Sequence, residues 1–298
     1  MSGAVIQALP PAAADAARLA SRFGVAMHTI ELHWFPDGEL RVTTGPAATT
    51  TIIYASLDRP NDKLLAILFA AEALRREGAR RLVLVAPYLC YMRQDAAFKK
   101  GEAISQKVVG PLLAGSVDRV VTVDAHLHRI KNIEDVFPGI EADDLSAMPA
   151  IADALRAGGV SRDMIVVGPD EEAGPWVGDL AARLGLKHAV AHKIRRGDRS
   201  VEITFANPAV FKGRPALLMD DIVSSGGTLI ACAKALVAAG ATTIDAVIAH
   251  ALFAPELAGE FLRAGIRSVR STTSVPHPTN AIALDGVLAD ALRKEIGA

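Results

Sequence analysis

The stretch LLMDDIVSSGGTL, residues 217–229, decides how the rest of the chain is read. Leu217, Leu218 and Met219 form a short apolar run of the kind a buried strand shows, and it ends in two adjacent carboxylates, Asp220 and Asp221. Ser224, Ser225, Gly226, Gly227 and Thr228 come next, followed by a helix-like stretch. At a strand-to-helix turn, glycines let the backbone approach a ligand, and the first helical turn leaves N–H groups free to bind an anion. The aspartates repel phosphate, but they accept hydrogen bonds from sugar hydroxyls, directly or through hydrated Mg²⁺. Phosphate a few ångströms from vicinal hydroxyls describes a ribose 5-phosphate. Taken alone, the segment also reads as a glycine-rich turn with helix-capping aspartates.

Working outward, β-branched runs at 51–55, 82–86, 120–123, 164–167, 216–219, 243–249 and 266–270 read as strands. Between them, 61–76, 148–157, 174–184 and 228–239 carry apolar residues at helical spacing. Asn61 and Asp62 offer N-cap chemistry to the first of these helices, and Gly78 lies just past its end. Strand–helix–strand repetition predicts βαβ units and a mostly parallel, doubly wound sheet. The stretch 136–146, with Pro138, Gly139 and several acids, breaks the rhythm. A boundary there gives two domains, 1–143 and 144–298. The first 25 or so residues read as a strand and an Ala-rich helix. Both halves share one grammar, without a residue-level repeat that proves duplication.

Composition narrows the class. Hydrophobic residues make up 51% of the 298 and aromatics only 5%, which suits close-packed helices on a parallel sheet better than an all-β sandwich. A formal net charge of −1 provides no global field for nucleic acid or an anionic membrane, so any anion site is local. Cys90 and Cys232 make no disulfide framework and fit a reducing cytoplasm. No basic stretch followed by an apolar core marks a signal peptide, and no apolar run is long enough to span a membrane.

Ligands of open α/β sheets bind outside the carboxyl ends of the strands. There this chain places DAHLH (124–128), GPDEEAG (168–174), DDIVSSGGT (220–228) and PYLCYMRQDAAFKKGEAIS (87–105). One acid at a strand end is an ordinary helix cap. Four strands delivering charged or metal-competent groups to one edge is a site.

With these residues in view, the sequence resembles the phosphoribosyltransferase superfamily in its DD…SSGGT segment, and more narrowly the ribose-phosphate pyrophosphokinase family. FPDGE (35–39), RPND (59–62), APYLCYMRQD (86–95), AIS (103–105), DRVVTVDAH (118–126) and GPDEEAG follow in that family's order and spacing, from about Phe35 to Pro276. The resemblance implies an α/β fold of two phosphoribosyltransferase-like domains, each a mostly parallel doubly wound sheet flanked by helices. It implies an active site between them and transfer of a pyrophosphoryl group from ATP to O1 of ribose 5-phosphate. Asp220, Asp221 and Ser224 to Thr228 match the ribose 5-phosphate segment. His126 and Asp170 match the Mg²⁺ positions, although Mg²⁺ prefers oxygen ligands. Arg93 and Gln94, with His126, match nucleotide contacts. Phe35, Asp37 and Glu39 match a segment that reaches adenine from a neighbouring subunit, so a homo-oligomer is implied. In AHKIRRGDRS (191–200), a basic run expected to form a loop with Gly197 for mobility, Lys193 and Arg195 match the family's K-x-R pattern that neutralises charge during transfer.

The chain also departs from the pattern. Ser224 stands where many members carry aspartate, Glu171 and Glu172 put extra charge beside Asp170, and Cys90 takes a place often held by glycine. Two other functions share parts of this pattern. A nucleobase phosphoribosyltransferase shares the DD…GGT loop but leaves FPDGE, MRQD and DAH unexplained. A regulatory paralogue could lose the cationic or metal residues, and Lys193, Arg195, His126 and Asp170 are all present.

Overall fold

The computed structural model describes residues 3–195 and 201–297. They form two compact units. One holds the chain up to 146 with 274–276 and 284–297, and the other holds 147–273 with 277–283.

In the first unit the elements are β1 (Ala4–Ala8), α1 (Ala13–Phe23), β2 (Ala26–Thr29), β3 (Glu31–Trp34), β4 (Leu40–Thr43), β5 (Thr50–Tyr54), α2 (Pro60–Arg76), β6 (Arg81–Ala86), α3 (Gln106–Ala114), β7 (Arg119–Val123) and β8 (Glu141–Leu145). In the second they are α4 (Met148–Ala157), β9 (Ile165–Gly168), α5 (Gly174–Leu184), β10 (Lys187–Val190), β11 (His192–Arg195), β12 (Val201–Thr204), β13 (Ala216–Val223), α6 (Gly227–Ala238), β14 (Ile244–Ala251), α7 (Ala258–Arg263), β15 (Ile266–Thr272) and β16 (Asn280–Ile282). The last helix, α8 (Asp285–Ile296), returns to the first unit.

The two sheets share one topology. Their strand orders are β2-β1-β5-β6-β7-β8 and β10-β9-β13-β14-β15-β16. Every pairing within them is parallel. Each unit inserts a two-stranded antiparallel ribbon between its second and third sheet strands, β3–β4 in one and β11–β12 in the other. The helices repeat as well: α8 packs against α1 as α4 packs against α5. Residues 285–296 thus fill in the first unit the place that 148–157 fills in the second, and they part company with the residues before them in sequence.

Each sheet is buried by the apolar stripes of its helices. Leu64, Ile67 and Leu74 of α2 lie in one core with Ile53, Leu82, Leu84 and Val120 of the strands. Leu229, Cys232 and Leu236 of α6 lie in the other with Val167, Leu218, Ala246 and Ile248. Burying such side chains is worth about 1.5–3 kcal/mol each, which is why the central strands β5, β6, β7 and β9 are mostly apolar.

Two local expectations are corrected. Helix α2 starts at Pro60 behind Arg59, which has φ 47°, and no side chain caps it; proline suits the first helical position because its missing N–H needs no partner there. Asn61 accepts instead from the Tyr91 hydroxyl. The run 191–200 is not a plain loop: His192–Arg195 pairs antiparallel with Val201–Thr204. Gly197 lies outside the described residues.

Candidate functional site

In the second unit the site is built on β13, which outruns its neighbour β9. Pairing with β9 ends at Leu218, whereas pairing with β14 continues to Val223 and Ala251. Asp220 and Asp221 therefore sit inside a strand rather than after it, on the part that stands clear of β9. Asp221 is buried and Asp220 half-buried. Burial pushes the Asp220 carboxyl well above its ordinary range, and the charges of Asp221 and Asp170 push it further.

The turn into α6 is held by Gly226. Its φ of +74° is the left-handed conformation at the cap of α6, and a β-carbon there would lie 2.8 Å from Phe261 Cε1. Gly227, by contrast, opens onto space, with Ser225 Oγ at 3.8 Å as the nearest atom to a β-carbon. Ser224 and Ser225 are exposed and Thr228 half-buried. The first-turn amides of α6 have no intrahelical partner by construction, so this loop presents N–H groups and hydroxyls together.

Asp170 follows β9 in extended backbone and accepts from the Ala173 N–H at 3.4 Å. Burial raises its carboxyl above the usual range, as does the Glu172 charge, while the Ala173 N–H and the charge of Lys193 pull the other way. Lys193 lies on β11, with Nζ 3.5 Å from Thr228 Oγ1. One lysine thus faces both the acid after β9 and the loop after β13. Arg195 is on the same strand, and its side chain lies outside the described residues. Sequence reasoning missed one contact here: His192 Nδ1 meets Glu171 Oε1 at 2.8 Å, joining the root of the ribbon to the turn that carries Asp170.

In the first unit, the non-glycine residues with positive φ among those described are Arg59, Tyr91 and Asp124. They fall in the loops after β5, β6 and β7, one at the carboxyl end of each of three adjacent strands. Such strain persists where surrounding structure holds it, and it clusters at binding sites. Tyr91 precedes Arg93 by two residues and Asp124 precedes His126 by two. Arg93 is exposed. Gln94 ties its own loop, its Nε2 donating to Ala96 O at 3.2 Å. The His126 and His128 rings meet edge to face with centroids 4.0 Å apart and their Nε2 atoms in contact.

Phe35, Asp37 and Glu39 form the tip of the β3–β4 ribbon. Phe35 N donates to Glu39 O at 2.8 Å, Glu39 N to an Asp37 carboxylate oxygen at 3.1 Å, and Gly38 takes φ +92°. The tip exposes two large aromatics, Trp34 at 50% and Phe35 at 40%.

A family model described as the N-terminal domain of ribose phosphate pyrophosphokinase matches residues 8–116, and one for the phosphoribosyl transferase domain matches 145–280. The ribose-phosphate pyrophosphokinase of Methanopyrus kandleri is 30% identical over 282 residues, covering 94% of this chain and 95% of its own. The chain belongs to the ribose-phosphate pyrophosphokinase family. The Pyrococcus furiosus pyrophosphokinase is 33% identical over 260 residues, with 86% of this chain and 89% of its own covered. The crystal structure of phosphoribosylpyrophosphate synthetase from Mycobacterium smegmatis superposes with a TM-score of 0.83 at 24% identity, covering 97% of each chain, and shares the fold. As in that pyrophosphokinase fold, both units here are phosphoribosyltransferase-like, each a parallel sheet flanked by helices. Among the described residues no helix is long and apolar enough to cross a membrane.

Proposed function

We propose that this chain is an ATP-dependent ribose-phosphate pyrophosphokinase that moves the pyrophosphoryl group of ATP to O1 of ribose 5-phosphate, giving phosphoribosyl pyrophosphate and AMP. Membership of the pyrophosphokinase family along nearly the whole chain carries this reading. Support from the second unit is the loop at 224–228, with its donors, next to two carboxylates in β13. The 5-phosphate sits on the amides and hydroxyls of Ser224, Ser225, Gly226, Gly227 and Thr228, while Asp220 and Asp221 accept from the ribose hydroxyls. That binding fixes O1 for attack and needs no covalent intermediate, so positioning and charge neutralisation supply the catalysis. Lys193, with Arg195 on the same strand, meets negative charge gathering on the transferred group and on departing AMP.

We take Mg²⁺ as the cofactor. Besides burial, the Glu172 charge raises the Asp170 carboxyl and the charges of Asp221 and Asp170 raise that of Asp220, and a hard cation with oxygen ligands answers such crowding. Asp170 would hold it; His126, its partner by family pattern, is a nitrogen donor on the first unit. When bound, the ion draws charge from the phosphate oxygens. We assign Arg93, Gln94 and His126 to ATP phosphate and base, and Phe35, Asp37 and Glu39 to the adenine of a neighbouring subunit's site, which makes the working form a homo-oligomer. The exposed aromatic tip of the ribbon supports that assignment. Cys90 and Cys232 are buried free thiols, each pushed up to about 12 by burial, and are consistent with the cytoplasm.

Incubation with ATP, Mg²⁺ and ribose 5-phosphate, followed by chromatography of nucleotides and ³¹P NMR, tests the reading. AMP and phosphoribosyl pyrophosphate in equal amounts are expected. ADP in place of AMP, or no turnover, refutes it.

A further inference from the structure

The second unit holds a cavity of about 350 Å³ where its strands begin, at the end of the sheet away from Asp220 and the loop at 224–228. A β-bulge creates its chemistry. β14 and β15 pair at Ile244 and Ile266, but the next pair is Asp245 with Ser268, so Arg267 is an extra residue in β15. In unbroken alternation Arg267 and Ser268 face opposite sides of the sheet. Bulges re-aim side chains, and here both reach Asp245. Arg267 donates to both carboxylate oxygens, from Nε at 3.1 Å and Nη2 at 2.6 Å, and Ser268 Oγ donates at 2.6 Å. Arg270, two residues past Ser268, shares that face; its Nη1 lies 3.6 Å from where a Gly158 β-carbon would be, at the end of α4. Leu217, the register partner of Asp245 in β13, lies on the same face and lines the cavity.

The charges do not balance. Asp245 is 5% exposed and accepts a two-pronged grip from Arg267, which uses up one guanidinium. Burial alone would raise this carboxyl, but the bonds from Arg267 and Ser268 and the charges of Arg267 and Arg270 hold it below its ordinary value. Arg270 also acts on Asp245 but adds a second guanidinium against one carboxylate, so the lining carries a surplus of one positive charge. The carbonyl end of α4 closes one side, and its partial negative charge weighs against a dianion. Val160, Met164 and Pro215, all half-buried, provide apolar wall. Small-molecule sites are cavities of roughly this size with convergent polar groups, and this lining is more polar than apolar.

We propose that this cavity binds an organic monocarboxylate with an apolar body, the carboxylate on the Arg270 guanidinium and the body against Val160, Met164 and Pro215. Guanidinium and carboxylate match as two parallel N–H···O bonds. The proposal is independent of the reaction assigned above, because no residue of the cavity belongs to that site.

Saturation-transfer NMR of the full chain with benzoate tests it, with inorganic phosphate titrated in parallel. Saturable benzoate binding is expected, unchanged by saturating ribose 5-phosphate and weakened at least tenfold in R270Q. R270K, which keeps the charge and loses the fork, falls between the two and serves if R270Q fails to fold. Benzoate displaced by ribose 5-phosphate, bound equally by both variants, matched in affinity by phosphate at the Arg270-dependent site, or not saturable at all would each overturn the proposal.

Discussion

Lys193 Nζ stands 3.5 Å from Thr228 Oγ1, and its charge is felt by Asp170. Lys193 is bound into a ribbon, with Ile203 as its register partner, so its backbone is held while its side chain spans two loops. On the mechanism proposed above, a cation in that position serves charge that develops during transfer more than it serves ground-state binding. Lys193→Ala is expected to lower kcat about 100-fold or more, the usual cost of removing one preorganised stabilising group. Its KM for ribose 5-phosphate should stay within a few-fold of the parent, since the amides of the loop at 224–228 remain. Steady-state kinetics with each substrate varied decides this, and near-normal turnover would take Lys193 out of the mechanism.

Gly226 is constrained twice, by its φ and by the ring of Phe261. Gly226→Ala should cost about 1–3 kcal/mol, combining left-handed strain and overpacking, and should displace the loop that follows. Phe261→Leu in the same chain would relieve the clash and leave the strain. Urea denaturation should therefore show partial recovery in the double variant, together with a raised KM for ribose 5-phosphate in both. Full recovery would mean that backbone strain contributes nothing.

Much of this was legible in sequence wherever burial wrote a single period. Strands 50–54, 81–86, 119–123 and 244–251 are apolar on both faces, and the helices 148–157 and 174–184 carry clear stripes. Other elements were hidden by their partners. β8 reads EADDL, and its acids are at home on a strand because Glu141 pairs with Arg81 and Asp143 with Arg119. α3 contains Gly110 and Pro111, which argue against a helix, yet a β-carbon at Gly110 would lie 2.0 Å from the Val136 carbonyl oxygen. β12 did leave a signal: Val201, Ile203 and Phe205 alternate with polar residues, a period of two. The equivalence of the two ribbons was invisible, since ELHW (31–34) and HKIR (192–195) share position in the topology and nothing in residues. Nor could composition say that Asp220 and Asp221 lie within a strand, which depends on β14 being longer than β9.

Phe35 is 40% exposed, with His33 edge-on at 5.0 Å, so its ring is oriented without being buried. Phe35→Ala should leave thermal stability nearly unchanged, as surface substitutions do, within about 0.5 kcal/mol. It should raise the KM for ATP several-fold and leave that for ribose 5-phosphate alone. If the ribbon completes a neighbour's site, mixing Phe35→Ala with Lys193→Ala protein should give more activity than the two measured apart. Strict additivity on mixing would confine each site to one chain.

The anchoring of α8 offers a test that no catalytic assay touches. Glu295 is buried and takes two bonds from Arg81, at 2.6 and 2.7 Å, and one from Arg119 at 2.9 Å, while Arg119 also donates to Ala291 O at 3.2 Å. Burial opposes its ionised form, but the bonds and charges of the two arginines outweigh that and lower its carboxyl below the ordinary value. Removing one partner of such a buried pair costs about 3–5 kcal/mol, because the charge left behind keeps its desolvation penalty. Glu295→Ala should destabilise the chain by that order, with hydrogen exchange rising first in 285–296. The sign of the pH dependence follows from the lowered value. The contribution of Glu295 is fully present above the unfolded glutamate value of about 4.3, and it is lost as pH falls through the lower folded value. Glu295→Gln should therefore be less stable than the parent at neutral pH, with the gap closing as pH drops below about 4.3. Thermal melts of both proteins across that window check this, and a gap that widens on acidification would mean the arginines do not hold the carboxylate.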